Sequence, residues 1–238
     1  MIEIKNVTKK FGKVTALDGV TLTIGDNECF ALLGFNGAGK TTLINILSTV
    51  LSPMSGEATV NGYDLNADRM EIKRLVNVSP QEAAVAKNLT VEENLRFIAD
   101  LYGISDPKQA VESALTEFDL TEKRATLAKR LSGGQAKRLS LALAVITQPQ
   151  ILFLDEPTLG LDVKARAKLW ALIERLKSKM TVVLTTHYLE EVERLTDRIA
   201  VISHGKIKAV GTLAELLSLT GEPTLEKAFL ALSEEDEE

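Results

Sequence analysis

The sequence predicts an α/β fold with three parts: a mostly parallel sheet, an antiparallel β subdomain at the N-terminus and an inserted α-helical lobe. Apolar runs at 29–34, 151–155, 181–186 and 198–203 are separated by segments with helical spacing. This alternation is typical of parallel strands that helices cover on both faces. Residues 89–144 have helical patterns and no convincing strand, which predicts a block of helices inserted into the sheet-forming part of the chain.

The N-terminal stretches predict the antiparallel subdomain. "MIEIKNVTKKF" (1–11) and "GVTLTI" (19–24) alternate apolar and polar residues, as strands with one buried face do. "CFALLG" (29–34) is apolar throughout and predicts a buried strand. It leads through a glycine-rich loop into a predicted helix around 40–50.

Turn and cap signals define the middle of the chain. A short strand pair is predicted around Asn61-Gly62, because this dipeptide favours a two-residue hairpin turn. Thr90 followed by Glu93 resembles a capping box and predicts the start of a helix. The helical lobe is expected to run from there over about 89–144.

The last third of the chain alternates strands with helices. The segment 163–179 predicts an amphipathic helix, on which Trp170 is expected to pack rather than to bind a ligand. "VISHGKIKAVG" predicts a hairpin that turns at His204-Gly205. The apolar positions that follow helical spacing in the predicted helix are Ala165, Leu169, Leu172, Ile173 and Leu176.

Composition limits the partners of the chain. The 238 residues include 28 basic and 33 acidic side chains, and the last five residues, "EEDEE", hold five of the acidic ones. Without them the charges balance, so the body shows no net positive charge to attract nucleic acid, and no nucleic acid partner is expected. We divide the chain into a main domain (1–220) and a short C-terminal helix with a solvated, disordered acidic tail (221–238).

Cysteine use and hydropathy indicate the compartment. Cys29 is the single cysteine and lies in an apolar run, so we expect it to be a small buried side chain. A chain without internal disulfides suits a reducing cytosol. No signal peptide opens the chain, and no apolar run approaches the roughly 18 residues that a membrane span needs. Action at a membrane would therefore need a second, membrane-spanning chain.

The loop "GFNGAGKT" fits the pattern G-x-x-x-x-G-K-[ST] through Gly34, Gly39, Lys40 and Thr41. It has the required context, an apolar strand before it and a helix after it. Glycines let the backbone wrap around phosphate oxygens, and the helix N-terminus adds positive potential. Lys40 can reach the β- and γ-phosphates, and the Thr41 hydroxyl can bind Mg²⁺. The sequence thus predicts a P-loop NTPase core.

Two adjacent acids supply the second half of this site. Asp155 ends the apolar run "ILFLD", so it is expected at the carboxyl end of a buried strand, where ligand sites of α/β proteins lie. A carboxylate there can hold the Mg²⁺ shell. Glu156 follows directly and is positioned to polarise an attacking water. Together with the glycine-rich loop, this pair predicts an ATPase.

Further motifs complete a series of six in a defined order. Phe11 precedes the glycine-rich loop, Gln81 lies in "SPQE", and "LSGGQ" spans 131–135. "DEPTLGLD" contains the two acids and ends at Asp162, and "TTH" ends at His187. Over almost its whole length the chain resembles the nucleotide-binding subunit of ABC transporters. The order of the motifs, more than any single one, carries this resemblance.

The resemblance implies a role for each motif residue. Glu156 and His187 would be the catalytic residues, and Phe11 would stack on adenine in place of the more usual tyrosine. Mg²⁺ would be held by Thr41, Gln81 and Asp155. The residues implied to bind ATP are Phe11, Gly34, Asn36, Gly37, Ala38, Gly39, Lys40, Thr41, Thr42, Gln81, Ser132, Gly133, Gly134, Gln135 and Asp162.

The resemblance also explains why one chain carries two phosphate cradles. In this family the "LSGGQ" loop faces the glycine-rich loop of a second subunit, so each ATP is held between two chains. Ser132 and Gly134 would contact the γ-phosphate of the nucleotide bound by the partner's Lys40. The implied partners are a second ATP-binding subunit, identical or a close paralogue, and an integral-membrane transporter subunit. The chain would lie on the cytoplasmic face of the membrane.

The branch of the family is a finer inference. "LTVEENLRFIADLYG" and "TLEKAFLAL" are similar to segments of bacterial multi-subunit exporters. Importers use almost the same motor, and the membrane subunit recognises the cargo. Two alternatives stay open at this point: a soluble ABC ATPase acting on ribosomes or DNA, and a nucleotide-gated scaffold that barely hydrolyses ATP.

Overall fold

The structure is a computed structural model that describes residues 1–234. Most of the predicted acidic tail, residues 235–238, lies outside the described residues. Within residues 1–234, no helix combines the length and the apolar character that a membrane crossing requires.

The strands are β1 (Ile2–Phe11), β2 (Val14–Ile24), β3 (Cys29–Leu33), β4 (Ser55–Val60), β5 (Tyr63–Asp64), β6 (Val76–Ser79), β7 (Ile151–Asp155), β8 (Thr181–Thr186), β9 (Arg198–Ser203) and β10 (Lys206–Gly211). The helices are α1 (Lys40–Leu47), α2 (Arg69–Leu75), α3 (Val91–Leu101), α4 (Pro107–Glu117), α5 (Gly133–Val145), α6 (Val163–Leu176), α7 (Leu189–Leu195), α8 (Leu213–Thr220) and α9 (Leu225–Glu234).

A six-stranded sheet forms the centre of the molecule, in the order β10-β9-β3-β8-β7-β6. The pairs β9–β3, β3–β8, β8–β7 and β7–β6 are parallel, and β10 joins β9 antiparallel. Because the parallel strands run in one direction, the carboxyl ends of β3, β7 and β8 lie at the same edge of the sheet. This edge brings the glycine-rich loop, the two acids and the histidine motif together.

Strand β3 shows why these strands are continuous apolar runs. Its Cys29, Ala31 and Leu33 side chains pack into one hydrophobic core together with the helical lobe. Phe30 and Leu32 point to the opposite face, into a second core with the antiparallel subdomain. A strand buried on both faces has no position that favours a polar residue, which is the pattern of a covered parallel sheet.

The antiparallel subdomain is a four-stranded sheet in the order β2-β1-β4-β5. Val60 pairs with Tyr63, so β4 and β5 turn at Asn61-Gly62, whose φ angles of 50° and 82° are those of a two-residue hairpin turn. This turn was predicted from the sequence. The sheet is joined to the central one beside β10, where the Asp18 amide donates to the Gly205 carbonyl at 2.9 Å.

The inserted lobe consists of α3, α4 and α5 with two short 3-10 turns between α4 and α5. Helix α3 begins with the predicted capping box, in which Thr90 and Glu93 each accept a hydrogen bond from the other's backbone amide. Apolar side chains of all three helices pack into the core on the β3 face that holds Cys29. The predicted fold class is thereby confirmed, including the mostly parallel sheet and the antiparallel subdomain. The exact limits of the domains stay a proposal.

Candidate functional site

The glycine-rich loop connects β3 to α1 along a path that needs glycine at two positions. Gly39 has a φ of 106°, and a Cβ there would come within 2.5 Å of the Ala16 carbonyl oxygen. A Cβ at Gly34 would overlap the Ile202 carbonyl oxygen. Larger residues would therefore push the loop away from β2 and β9 and open the tight turn that a phosphate cradle requires.

Lys40 is the first residue of α1, and its side chain folds back into the loop. Its Nζ donates to the carbonyl oxygens of Gly34 at 2.7 Å and Phe35 at 3.0 Å. It also lies 3.3 Å from Glu156 Oε1, and both side chains are almost fully buried. Burying a cation costs free energy unless it is paired and hydrogen-bonded, and Lys40 has both kinds of partner. These partners hold the Lys40 ammonium group at the centre of the loop.

Asp155 lies at the carboxyl end of β7 and is held by two hydroxyl groups. Thr41 Oγ1 donates to Asp155 Oδ2 at 2.9 Å, and Thr185 Oγ1 donates to Oδ1 at 2.6 Å. The Thr185 contact comes from the neighbouring strand β8, which places Asp155 in a fixed orientation beside the first turn of α1. The carboxylate is 4% exposed.

Glu156 joins the glycine-rich loop to the histidine motif. Its Oε1 faces Lys40, and its Oε2 lies 3.2 Å from His187 Nδ1. Its backbone adopts a φ of 44°, and its amide donates to Thr185 Oγ1 at 3.0 Å. A positive φ in a residue with a side chain stores strain, and such strain is concentrated at functional sites. The turn directs the carboxylate towards the loop rather than along the strand.

A cavity of about 280 Å³ opens beside these groups. Phe11 is half exposed and does not line it, but it pairs with Val14, which does. The Lys9 ammonium group lies 5.5 Å from the Phe11 ring centre. The residues that line the cavity are Val14, Ala16, Asn36, Gly37, Gly39, Lys40, Thr41, Thr42, Gln81 and Glu156. Of the residues implied to bind ATP, seven are in this lining: Asn36, Gly37, Gly39, Lys40, Thr41, Thr42 and Gln81.

The "LSGGQ" loop lies elsewhere, at the start of α5. Ser132 caps this helix: its Oγ accepts from the Gln135 amide at 3.4 Å, and Gln135 Oε1 accepts from the Ser132 amide at 3.0 Å. Ser132 and Gly133 are exposed to solvent, whereas a Cβ at Gly134 would come within 2.8 Å of the Ala165 Cβ on α6. Residues 132–135 do not line the 280 Å³ cavity. Within one chain, the two cradles are separate.

Two other motif residues are held mainly through the backbone. The Lys137 ammonium group, on α5, donates to the carbonyl oxygen of Gln81, which ties the Gln81 segment to the helical lobe. Asp162 caps α6, where its carboxylate accepts from the amides of Lys164 at 3.0 Å and Ala165 at 2.9 Å. Burial of Lys137 lowers its pKa, and the carboxylates of Asp155, Glu156 and Glu191 oppose this change.

Sequence reasoning missed Thr185 and Lys137. Thr185 orients Asp155 and supports the Glu156 backbone, and its only signal was a polar residue near the end of the apolar run "TVVLTT". Lys137 follows the "LSGGQ" loop and gives no sign of its contact, because Gln81 is 56 residues away in sequence. Both roles depend on the pairing of distant segments, which local patterns do not encode.

The residues present fit a nucleotide with a hard divalent cation. Within residues 1–234, no three His, Cys, Asp or Glu side chains converge on a metal position. Mg²⁺ is commonly held in proteins by only one or two carboxylates together with phosphate oxygens and water. The Asp155 carboxylate, the Thr41 hydroxyl and the nearby Gln81 amide offer such a set of oxygen ligands.

The parallel sheet and the glycine-rich loop define the class of P-loop nucleotide-binding proteins. Within this class, residues 17–159 match the family model described as ABC transporter. The chain therefore belongs to the ABC transporter family.

Relatives of known name are similar over most of the chain. The linearmycin resistance ATP-binding protein LnrL of Bacillus subtilis is 36% identical, covering 94% of this chain and 73% of the relative. The daunorubicin/doxorubicin resistance ATP-binding protein DrrA of Streptomyces peucetius is 39% identical, covering 94% of this chain and 69% of the relative. Both relatives are ATP-binding proteins, as the site predicts for this chain.

Solved structures give the same result. The structure of an ATP-binding subunit of an ABC transporter has a TM-score of 0.87 and 29% identity, covering 98% of this chain and 99% of that one. A dimeric ATP-binding cassette in a post-hydrolysis state, bound to ADP and Pi, has a TM-score of 0.80 and 28% identity, covering 90% and 99%. The chain is thus an ATP-binding, ATP-hydrolysing subunit of an ABC transporter. These likenesses favour this function over a soluble ATPase acting on ribosomes or DNA.

Proposed function

We propose that this chain is the motor of an exporter and that two ATP-binding subunits close around two ATP molecules. In each of the two sites one subunit contributes Lys40 and the other contributes Ser132 and Gly134. The partner is a second copy of this chain or a close paralogue. Closing with ATP and opening after hydrolysis would drive the membrane subunit between two conformations.

The separation of the two cradles within one chain carries this proposal. The "LSGGQ" loop is a helix start with exposed Ser132 and Gly133, a geometry suited to binding an anion. It does not line the cavity around Lys40, so we assign its anion to the ATP held by a second chain. Head-to-tail pairing of two chains brings each "LSGGQ" loop over the partner's Lys40, and twofold symmetry then completes two sites.

The roles at the first cradle follow from the contacts. We assign phosphate binding to the loop Gly34–Lys40 together with Thr41 and Thr42. Phe11 contributes its exposed ring face to adenine at the edge of the cavity. Mg²⁺, when bound, would neutralise charge on the β- and γ-phosphates, and Thr41, Gln81 and Asp155 would hold it. Asp162 would act at the interface between the two subunits.

Glu156 is assigned as the general base for the attacking water. Its carboxylate has Lys40 on one side and His187 on the other, so one oxygen faces the residue assigned to phosphate binding and the other faces the residue assigned to the γ-phosphate or the water. Nucleotide binding would draw Lys40 towards the phosphates and leave Glu156 free to accept a proton. His187 would bond the γ-phosphate or hold the water. The strained turn at Glu156 keeps the base in this position before substrate arrives.

A docking surface for the membrane subunit is proposed on α3. Phe97 and Leu101 are 56% and 65% exposed and lie one turn apart on the same face of α3, and Tyr102, which follows the helix, is 54% exposed. Large apolar side chains grouped on one exposed helix face indicate a site for another protein. The face belongs to the same lobe that Lys137 ties to Gln81, so docking would be sensitive to the nucleotide site. Docking there would hold the chain on the cytoplasmic face of the membrane.

The cargo class follows from the relatives rather than from this chain. LnrL and DrrA are named for resistance to linearmycin and to daunorubicin and doxorubicin. We propose a small molecule as the cargo, moved outwards by the membrane subunit.

Two variants test the separation of the cradles. Lys40→Ala removes the cation aimed at the phosphates, so it should weaken ATP binding and abolish hydrolysis. Ser132→Arg should leave ATP binding by the monomer intact and abolish both dimerisation and hydrolysis. ATP binding is measured by calorimetry and turnover by phosphate release. Near-normal turnover of Lys40→Ala, or failure of monomeric Ser132→Arg to bind ATP, would contradict the assignment.

A further inference from the structure

Glu191 is a carboxylic acid in an unusual place. It lies near the start of α7 and is 0% exposed. Its Oε1 accepts a hydrogen bond from Trp170 Nε1 on α6 at 3.1 Å, in a fully buried position. Burying an acid costs free energy unless its oxygens are hydrogen-bonded, and Trp170 bonds only one of the two Glu191 oxygens.

The other polar groups that affect the Glu191 carboxylate lie in or beside the segments that carry the ATPase site. Burial raises the pKa of Glu191, while the Thr186 hydroxyl, the Trp170 N–H, the Thr158 hydroxyl and the Arg166 charge lower it. Within residues 1–234, Glu191 Oε2 and the Thr158 hydroxyl are enclosed and form no hydrogen bond of ordinary geometry. The backbone of Glu191 makes a defined contact beside the site: its amide donates to the Tyr188 carbonyl oxygen, next to His187, at 3.2 Å.

Each of these groups belongs to a segment or helix that also carries a residue of the site. Thr186 directly precedes His187, at the end of β8. Thr158 follows Glu156 by two residues, in the segment that leads to Asp162. Trp170 belongs to α6, the helix that Asp162 caps. Glu191 thus bonds α6 through its carboxylate and the residue after His187 through its amide, beside the segments that carry His187 and Glu156.

The Trp170 ring is itself fixed. The guanidinium groups of Arg166 and Arg194 lie 5.1 Å from its ring centre. Arg166 pairs with Glu190 at 3.2 Å and Arg194 with Glu174 at 3.1 Å. Movement of this ring would break its contacts with two paired cations, so its N–H is a well-positioned donor to Glu191.

From these contacts we infer that Glu191 is a positioning residue of the ATPase site. It holds the His187 segment and the segment after Glu156 in register with α6, so that His187 Nδ1 lies beside the Glu156 carboxylate. Glu191 is fully buried and acts through its contacts with Trp170 and with Tyr188, the residue that follows His187. The inference rests on the proposed roles of Glu156 and His187.

Glu191→Leu, Glu191→Gln and the control Glu193→Gln form the first test. Leucine fills the volume but leaves the Trp170 N–H without an acceptor. Glutamine keeps an acceptor for the Trp170 N–H, so the fall in kcat should be smaller for Glu191→Gln than for Glu191→Leu. We expect kcat to fall on the order of tenfold or more for Glu191→Leu, with KM for ATP unchanged, because small displacements of catalytic groups affect the reacting state. Exposed Glu193 on the same helix should tolerate its change.

Histidine NMR provides a readout that does not depend on activity. The chain has only two histidines, His187 and His204, so ring resonances of labelled protein are easily resolved. Both Glu191 variants should shift the His187 ring signals and leave those of His204 in place. A merely structural role would lower the thermal midpoint without selectively moving one histidine.

The outcomes separate this inference from the proposed function. If the wild type shows no ATP hydrolysis, or if the Lys40→Ala variant keeps the hydrolysis that the wild type shows, the proposed function fails. If that hydrolysis is present but both Glu191 variants keep wild-type kcat, or His187 signals stay unmoved, the inference alone is overturned. If Glu191→Leu fails to fold, the variants Glu191→Gln and Trp170→Phe test the inference in its place. Each removes part of the contact, and each should lower kcat and shift His187.

Discussion

At the scale of single residues, Cys29 shows how burial alone sets chemistry. The side chain is fully enclosed on β3, and desolvation is the main reason that its pKa is raised to about 12. The Lys177 charge lowers this value, and the carboxylates of Asp197, Glu191 and Glu28 raise it. The thiol is therefore neutral and unreactive at physiological pH, as the sequence predicted for a small buried side chain.

This burial predicts a pH dependence of stability. The folded-state pKa of about 12 is above the ordinary thiol value of 9.0, so the folded state retains the thiol proton more strongly than the unfolded state. The free energy of unfolding should be unaffected below about pH 9 and should then fall by about 1.4 kcal/mol per pH unit. Urea unfolding at about pH 8 and about pH 10 measures the fall. Cys29→Ala should show a smaller fall, and equal falls in both proteins would contradict the account.

Single residues also mark the limit of sequence reasoning at the site. The positions of Asp155 at a strand end and Lys40 at a helix start follow from local patterns, and the structure has them there. The contacts of Glu156 with Lys40 and His187 join three segments far apart in sequence. The motif series identified these residues, but the turn with a φ of 44° that brings them together is a property of the folded chain. Their roles in catalysis stay predictions.

At the scale of elements, local sequence signals were sufficient to predict a helix or strand where that element is long or has a capping motif. The Thr90–Glu93 box marked the start of α3, and continuous apolar runs marked β3, β7 and β8. Strand β6 was not predicted. Its four residues, "VNVS", are too short to establish a period, and they form a strand because β7 pairs with them. An edge strand of this kind depends on its neighbour rather than on its own pattern.

The cap of α3 gives a prediction at this scale. Thr90 Oγ1 accepts from the Glu93 amide at 3.2 Å, and Glu93 Oε2 accepts from the Thr90 amide at 2.7 Å. Thr90→Ala removes the first of these bonds and should lower the free energy of unfolding by about 1 kcal/mol. Thr90→Ser keeps the hydroxyl and should stay close to the wild type. Chemical unfolding compares the three proteins, and equal loss in both variants would show that the hydroxyl does not cap the helix.

At the scale of the whole molecule, the arrangement of two cores explains how one chain can carry two cradles. The central sheet presents Lys40, Asp155 and Glu156 at one edge, and the inserted lobe presents Ser132 at the start of α5. The lobe is linked to the sheet edge by the contact of Lys137 with the Gln81 carbonyl oxygen. The account therefore predicts that the complete ATPase site forms only between two chains.

The most direct test of this claim is the ATP-dependent mass of the Glu156→Gln variant. The amide keeps the shape of the carboxylate but cannot act as a base, and loss of a positioned base costs on the order of 10²–10⁴ in rate. It also removes a negative charge beside the γ-phosphate, so the ATP-filled dimer should accumulate. Size-exclusion chromatography with light scattering should show a dimer with ATP and Mg²⁺ and a monomer with ADP. The added change Ser132→Arg should abolish the dimer. A Glu156→Gln protein that stays monomeric at high concentration with saturating ATP, with the membrane subunit present as well as without it, would contradict the account.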